Sequence, residues 1–299
     1  MKRAVSISIG SAKRNKAVTV NLNGEEISIE RIGTDGDLKK AAQLFSEMDG
    51  TVDAFGLGGG DFGTEFDGKF FRYHNVAWIA DGAVKTPVVD GSGLRNTLEY
   101  RLAAFVEKEI GNYIDPKRVL LTAASDRWGM TKGFMDAGYE CIFGELMFGI
   151  GIPIPLRKVS QLKLLASALY PIVMRLPFEW IYPTGDKQNV REPKFEKYYQ
   201  WASVIGGDNN YIIRHMPDKL EGKVIVTNTT TEEDMDFFKS AGIKYVITGT
   251  PAIDGRSFGT NMMEAAFIAA SGKNRKLTND ELNEMLDSLN FEPTIRELN

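Results

Sequence analysis

What most constrains this chain is a regular alternation of apolar strands and short helices through its second half. Arg118-Val-Leu-Leu-Thr-Ala-Ala reads as a buried strand. The loop Ser125-Asp-Arg-Trp-Gly follows, and Met130 to Ala137 reads as a helix ended by Gly138. Further strands are expected over 139–144, 201–206, 222–228 and 245–249, with helices over 209–216 and 232–241, the last closed by Gly242. Apolar runs joined by short strand–helix connections predict a parallel sheet covered on both faces, a doubly wound domain of the Rossmann type.

The first half follows a different rule. Ala17 to Leu22 and Glu26 to Ile32 alternate around Asn23-Gly24, and a second hairpin is expected at Asp67-Gly68. Thr34-Asp-Gly-Asp opens a helix through Met48, with Thr34 or Asp35 as its cap. Short strands at 52–57 and 87–90, a helix near 76–81 and another over Leu94–Ile110 complete a mixed α/β pattern. Asp115-Pro116 marks a boundary. The expected organisation is a mixed-sheet domain over 1–114, a Rossmann-like domain over 115–260 with a helical insertion at 147–200, and C-terminal helices over 261–299. A length of 299 residues suits two domains of roughly 100–200 residues each.

Composition narrows the function. A net charge of −4 argues against a nucleic-acid partner. The single cysteine, Cys141, excludes an internal disulfide and fits a reducing, cytoplasmic compartment; its apolar surroundings mark a buried thiol rather than a nucleophile. The first ten residues lack the continuous apolar stretch of a signal peptide, and no run of about 18 apolar residues predicts a membrane span. Only His74 and His215 are present, which disfavours a histidine-built metal site; no metal is expected.

A dinucleotide site needs a strand, a tight phosphate loop at a helix N-terminus, and an acidic residue about 20 positions on for the ribose. Strand 118–124, the loop Ser125, Asp126, Arg127, Trp128 and Gly129, and Glu145 match that arrangement. A carboxylate there favours NAD over NADP, whereas a solvent-facing strand end is the plainer reading of Glu145. The loop has one glycine in place of G-x-G-x-x-G; Asp126 would repel phosphate and Arg127 would clamp it. Asn228, Thr229 and Thr230 after one strand, and Gly249 and Thr250 after the next, are further cofactor candidates. Helix capping by Thr230 or Thr231, with Glu232 or Glu233 near the third helical position, is the alternative.

The first domain supplies substrate candidates: Ser8, Ser11, Arg95 and Asn96, with Lys13, Asp61 and Asp90 for proton transfer. Asp90-Gly-Ser-Gly-Leu-Arg-Asn96 gathers carboxylate, hydroxyl, guanidinium and amide in one loop, and also reads as a capped helix start. The glycine-rich 56–60 stretch precedes a hairpin rather than a helix, so a turn is preferred to a phosphate cradle. His215 reads as a helix C-terminal residue. The apolar segment 147–182 reads as an internal helical hairpin on the sheet; covering the cleft, a homodimer interface, an acyl chain or a membrane surface are its other uses. Arg175 and residues 182–187 are further candidates to reach into the site.

The runs VDAFGLGG, TPVVDGSGLRNTLE, RLPFEWIYPTGDKQ and GRSFGTNMMEA resemble a bacterial family commonly labelled quinate or shikimate 5-dehydrogenase-like. The resemblance implies a substrate domain followed by a Rossmann domain. Shikimate dehydrogenases carry a Ser-x-Ser motif, a Lys/Asp pair and a Gly-Ala-Gly-Gly cofactor loop. Here Ser6-Ile-Ser8 matches the first, while the other two have no counterpart. The resulting expectation is an NAD(P)-dependent oxidoreductase acting on a small polar or carbocyclic hydroxy substrate. The alternative is a non-dehydrogenase ligand-binding protein that uses 147–182 for a lipid or acyl group.

Overall fold

The computed structural model describes residues 1–175, 191–249, 252–253, 256–257 and 259–299. Thr250 and residues 182–187, singled out above, lie outside the described residues.

The first sheet is built from β1 (Lys2–Ser8), β2 (Lys16–Leu22), β3 (Glu25–Gly33), β4 (Ala54–Gly58) and β7 (Val88–Val89), in the order β2-β3-β1-β4-β7. Only β2 is antiparallel to its neighbour. Its hairpin turns at Asn23 and Gly24, whose φ values of 53° and 87° suit the type I′ geometry that Asn-Gly favours. A second hairpin, β5 (Gly63–Phe66) and β6 (Lys69–Arg72), turns the same way at Asp67 and Gly68. Helix α1 (Leu38–Glu47) buries Ala41 and Phe45 against Val5, Ile7, Phe55 and Leu57 on one face. Its cap is Asp37, which accepts from the Lys40 N–H at 2.9 Å, not Thr34 or Asp35. Thr34 is buried with its hydroxyl toward the Ser8 carbonyl, and Asp35 accepts from the Ala12 N–H, so both side chains serve the β1 end instead.

Helix α2 (Ser92–Ile110) joins the two halves. Leu94, Leu98, Leu102, Val106 and Ile110 recur every four residues and form one apolar stripe. Leu94 and Leu98 enter the first sheet's core, while Leu102, Val106 and Ile110 enter the second's.

The second sheet takes β8 (Arg118–Leu121), β9 (Glu140–Phe143), β10 (Val204–Gly206), β11 (Val224–Thr227) and β12 (Tyr245–Thr248), all parallel, in the order β9-β8-β10-β11-β12. Alternate side chains divide between two cores. Val119, Leu121, Phe143 and Val226 face α2, α3 (Trp128–Asp136) and α4 (Val159–Val173). Leu120, Ile142, Ile205 and Ile225 face α5 (Glu196–Trp201), α6 (Asn209–His215) and α7 (Glu232–Ser240). This is a mixed α/β protein with a doubly wound second sheet. The strand expected over 201–206 begins only at Val204; before it, α5 turns Tyr198 and Tyr199 into the core. Thr231 caps α7, with Asp234 at the third position in place of Glu232 or Glu233.

After the short pair β13 (Ala252–Ile253) and β14 (Arg256–Ser257), α8 (Thr260–Ser271) returns to the first sheet and buries Met262, Ala265, Ala266 and Phe267 on the face opposite α1. Then α9 (Asn279–Ser288) packs on α2, and β15 (Thr294–Glu297) adds an antiparallel edge strand beside β12. The 261–299 tail, expected to be helical, thus ends in a strand.

The contact between α2 and α3 is close because two glycines allow it. A Cβ on Gly129 would lie 2.1 Å from the Asn96 carbonyl oxygen, and one on Gly133 would lie 2.4 Å from that of Tyr100. Gly129→Ala should therefore destabilise the protein by about 1–3 kcal/mol or more through backbone overpacking, against the roughly 1 kcal/mol that Ala gains over Gly in a helix. Urea denaturation compares the two chains directly.

Candidate functional site

The strand order β9-β8-β10-β11-β12 reverses direction between β8 and β10, and doubly wound sheets open a crevice outside the strand ends at such a reversal. A cavity of about 370 Å³ lies there. Its polar end comes from the loop after β8 (Thr122, Ser125, Asp126), Glu145 and Tyr211 of α6. Its apolar wall is α4, which contributes Leu162, Leu165, Ala166, Leu169 and Val173. Thr64 and Tyr73 of the first half close one side, with their hydroxyls 3.1 Å apart.

Glu145 opens a π-helical turn, Glu145–Gly149. One carboxylate oxygen accepts the Ser125 N–H at 2.6 Å; the other is buried with no hydrogen-bond partner. Burial raises this carboxyl to about 7, partly opposed by the Ser125 N–H. The Tyr170 hydroxyl donates to Ser125 Oγ at 2.5 Å, and its ring packs edge-on to Phe71, so α4 is held to both halves.

Beside the cavity lies a buried charge network. Arg127 donates to Glu99 of α2 at 2.7 Å and to Asp208, the cap of α6, at 2.5 Å, and Asp126 lies 3.6 Å from its Nε. Arg95 pairs with Asp61 at 3.3 Å. Burial, reinforced by Asp90 and Asp126 and opposed by Arg95, raises Asp61 to about 6.

The structure joins some of the sequence candidates and separates others. Ser125, Asp126 and Glu145 meet at the cavity, and Asp61 meets Arg95. Asp90 instead accepts from the Phe62 N–H and from the N–H and hydroxyl of Ser92, which ties the 58–62 loop to the start of α2. Lys13 is exposed on a short turn capped by Ser11, and no described bond brings it to Asp61 or Asp90. Ser8 accepts from Arg31 and from the Gly10 N–H. Asn96 and Gly129 meet at the α2–α3 contact, and Trp128 packs edge-on to Phe66. Asn228 donates to Asp208, Gly249 packs on Leu102, and Thr229 is exposed while Thr230 is half-buried. His215 ends α6, with burial lowering its pKa. Burial pushes the Cys141 thiol up to about 12.

Glu99, Asp208 and Tyr170 were missed by sequence reasoning. The available signal was Glu99 on the buried side of α2 and Asp208 at a strand-to-helix junction, yet only the strand order places Asp208 beside Arg127.

These features define a doubly wound α/β protein with a cavity at its topological switch point. The chain belongs to the family described as Domain of unknown function (DUF8754), which it matches over residues 93–298; residues 3–90 match Domain of unknown function (DUF8753). A comparison with curated proteins found no match. Among solved structures it is similar to a putative malic enzyme (malate oxidoreductase), at 15% identity and a TM-score of 0.42, covering 95% of this chain and 76% of that one. The NAD-dependent malic enzyme from Thermotoga maritima gives 12% and 0.39, with 96% and 84% covered. A galactofuranose binding protein gives 14% and 0.39, with 95% and 97% covered. At these values the likenesses carry no weight for ligand or reaction.

Two outcomes follow from the buried charges. Arg127→Met should cost about 3–5 kcal/mol in denaturant unfolding, because Glu99 is left buried without its counter-charge. Glu264 of α8 accepts the Leu94 N–H at 3.1 Å and is raised by burial to about 7. The folded state therefore holds a proton that the unfolded chain releases near pH 4.5, and this contribution to stability is lost as pH rises through about 7. Glu264→Gln should match the parent near pH 4 and exceed it at pH 8 by about 3 kcal/mol in calorimetry, at about 1.36 kcal/mol per pKa unit.

Proposed function

We propose that the protein binds a small amphipathic molecule in the switch-point cavity, with an apolar body against α4 and a hydrogen-bond-donating head, a hydroxyl or an ammonium, at Glu145. The observation that carries this reading is the chemistry of the lining. Among its described residues the cavity has two carboxyls, Asp126 and Glu145, and no lysine, arginine or histidine. One Glu145 oxygen is a buried acceptor without a donor. Such a lining disfavours a carboxylate or pyrophosphate, since a buried anion needs a paired cation or several donors. A volume near 370 Å³ lies at the low end of the roughly 300–1,000 Å³ typical of small-molecule sites.

Arg127, the cation a phosphate would use, is held by Glu99 and Asp208. Gly129, whose small size a phosphate loop would need, is used against α2. The NAD(P)-dependent oxidoreductase reading keeps one observation in its favour. A carboxyl poised near 7 beside the Ser125–Tyr170 hydroxyl pair suits proton transfer at an alcohol.

A titration with one chain length and three heads separates these readings. Thermal shift should show saturable stabilisation by 1-octanol and octylamine, worth about 2.7 kcal/mol at 100 times the dissociation constant, and none by octanoate. Octylamine should bind more tightly as pH rises through about 7, when Glu145 ionises, and Glu145→Gln should remove that dependence while leaving octanol binding in place. Binding of octanoate, or of NAD⁺, NADH, NADP⁺ or NADPH, would overturn the reading; the nucleotides would do so in favour of the oxidoreductase.

A further inference from the structure

The segment that walls the cavity carries a run of exposed apolar side chains. Five of the eleven exposed large apolar side chains among the described residues fall within 23 positions: Ile150, Ile152, Ile154, Leu164 and Ile172. Leu164 and Ile172 are 73% and 62% exposed on α4; Leu164 stands opposite the buried Leu162 and Ala166, and Ile172 lies on the flank. Ile150 lines the mouth itself together with Leu165 and Leu169 of the same helix. Exposed apolar groups scattered singly need no explanation, but a cluster at the entrance of an apolar cavity does.

The charges of this segment point to what covers it. From Leu146 to Arg175 the sequence has four basic residues, Arg157, Lys158, Lys163 and Arg175, and no Asp or Glu, in a chain whose net charge is −4. Arg157 and Lys163 are partly neutralised by Glu140 and Asp67, at 3.0 and 2.7 Å; Lys158 and Arg175 are exposed and have no described ion pair. An apolar face whose own segment has no Asp or Glu, and which keeps two exposed cations after Glu140 and Asp67 have neutralised the others, is complementary to an anionic lipid surface: the side chains enter the interface and the cations meet the headgroups. No described helix is long and apolar enough to cross a membrane, so the contact lies in the interface plane.

We infer that the 150–154 loop and the outer face of α4 dock on an anionic membrane surface, which brings the cavity mouth to the layer where an amphipathic ligand partitions. This deepens the cavity reading by naming where its ligand is met, and the two can fail separately. Leu164 and Ile172 do not line the cavity and are mostly exposed, so their replacement leaves the interior intact.

The test is co-sedimentation with vesicles of phosphatidylcholine alone or with 30% phosphatidylglycerol, paired with the 1-octanol thermal shift. The full chain should partition to the phosphatidylglycerol vesicles and much less to phosphatidylcholine, and 1 M salt should weaken binding as the Debye length falls from about 10 to about 3 Å. Leu164→Ser with Ile172→Ser should lower partitioning at least tenfold, and Lys158→Gln about fivefold, with the octanol shift unchanged in both. Absence of vesicle binding by a chain that still shows the octanol shift would overturn the docking inference and leave the cavity reading standing. Vesicle binding without an octanol shift would do the reverse. A concentration-dependent dimer abolished by the two serine substitutions would assign the face to a second copy of the chain, and so also overturn the inference.

Discussion

Arg127 is the interaction on which the arrangement of this molecule depends. One guanidinium joins Glu99 in the middle of α2, the loop after β8, and Asp208 at the start of α6. Taking these ions out of water costs several kcal/mol each, and their attraction offsets that only with good geometry and matched partners. The pairing therefore constrains position more than it adds net stability. Glu99 and Asp208 thereby tie the shared helix, the loop after β8 and the start of α6 together at one guanidinium beside the crevice.

The two glycines of α3 act with that network. Gly129 and Gly133 let α3 approach the α2 backbone, which carries the first sheet's core at one end and the second's at the other. The return of α8 to the first sheet, with Glu264 on the first turn of α2, closes the connection from the opposite side. The two sheets thus share a helix and a charge network, and the cavity is walled by residues from both halves.

The proposed function rests on what this framework leaves unsatisfied. Arginine charge is consumed inside the network, so the cavity keeps carboxyls without cations, and Glu145 keeps a proton near neutrality because burial opposes its charge. The loop after β8 has the position of a phosphate loop in a doubly wound fold, but its glycine and its arginine both face structural partners. The apolar segment over it, by contrast, serves two surfaces: an inner one lining the cavity and an outer one beside the basic residues.

Local chemistry made much of the fold legible in the sequence. Asn23-Gly24 and Asp67-Gly68 specify their hairpins because few other pairs adopt two successive positive φ values, and continuous apolar runs at 119–121 and 224–226 specify strands buried on both faces. Ser125, Asp126 and Glu145 were legible as site candidates because they stand at strand ends, where parallel sheets expose side chains. The rest required the tertiary structure. Which face of Gly129 is occupied, that Asp208 reaches Arg127 across 81 positions, that α8 returns to the first sheet, and that Tyr170 closes on Ser125 are all set by strand order and helix contacts. Those are long-range pairings that single-sequence periodicity does not encode, since periodicity reports which face of an element is apolar and not which partner covers it.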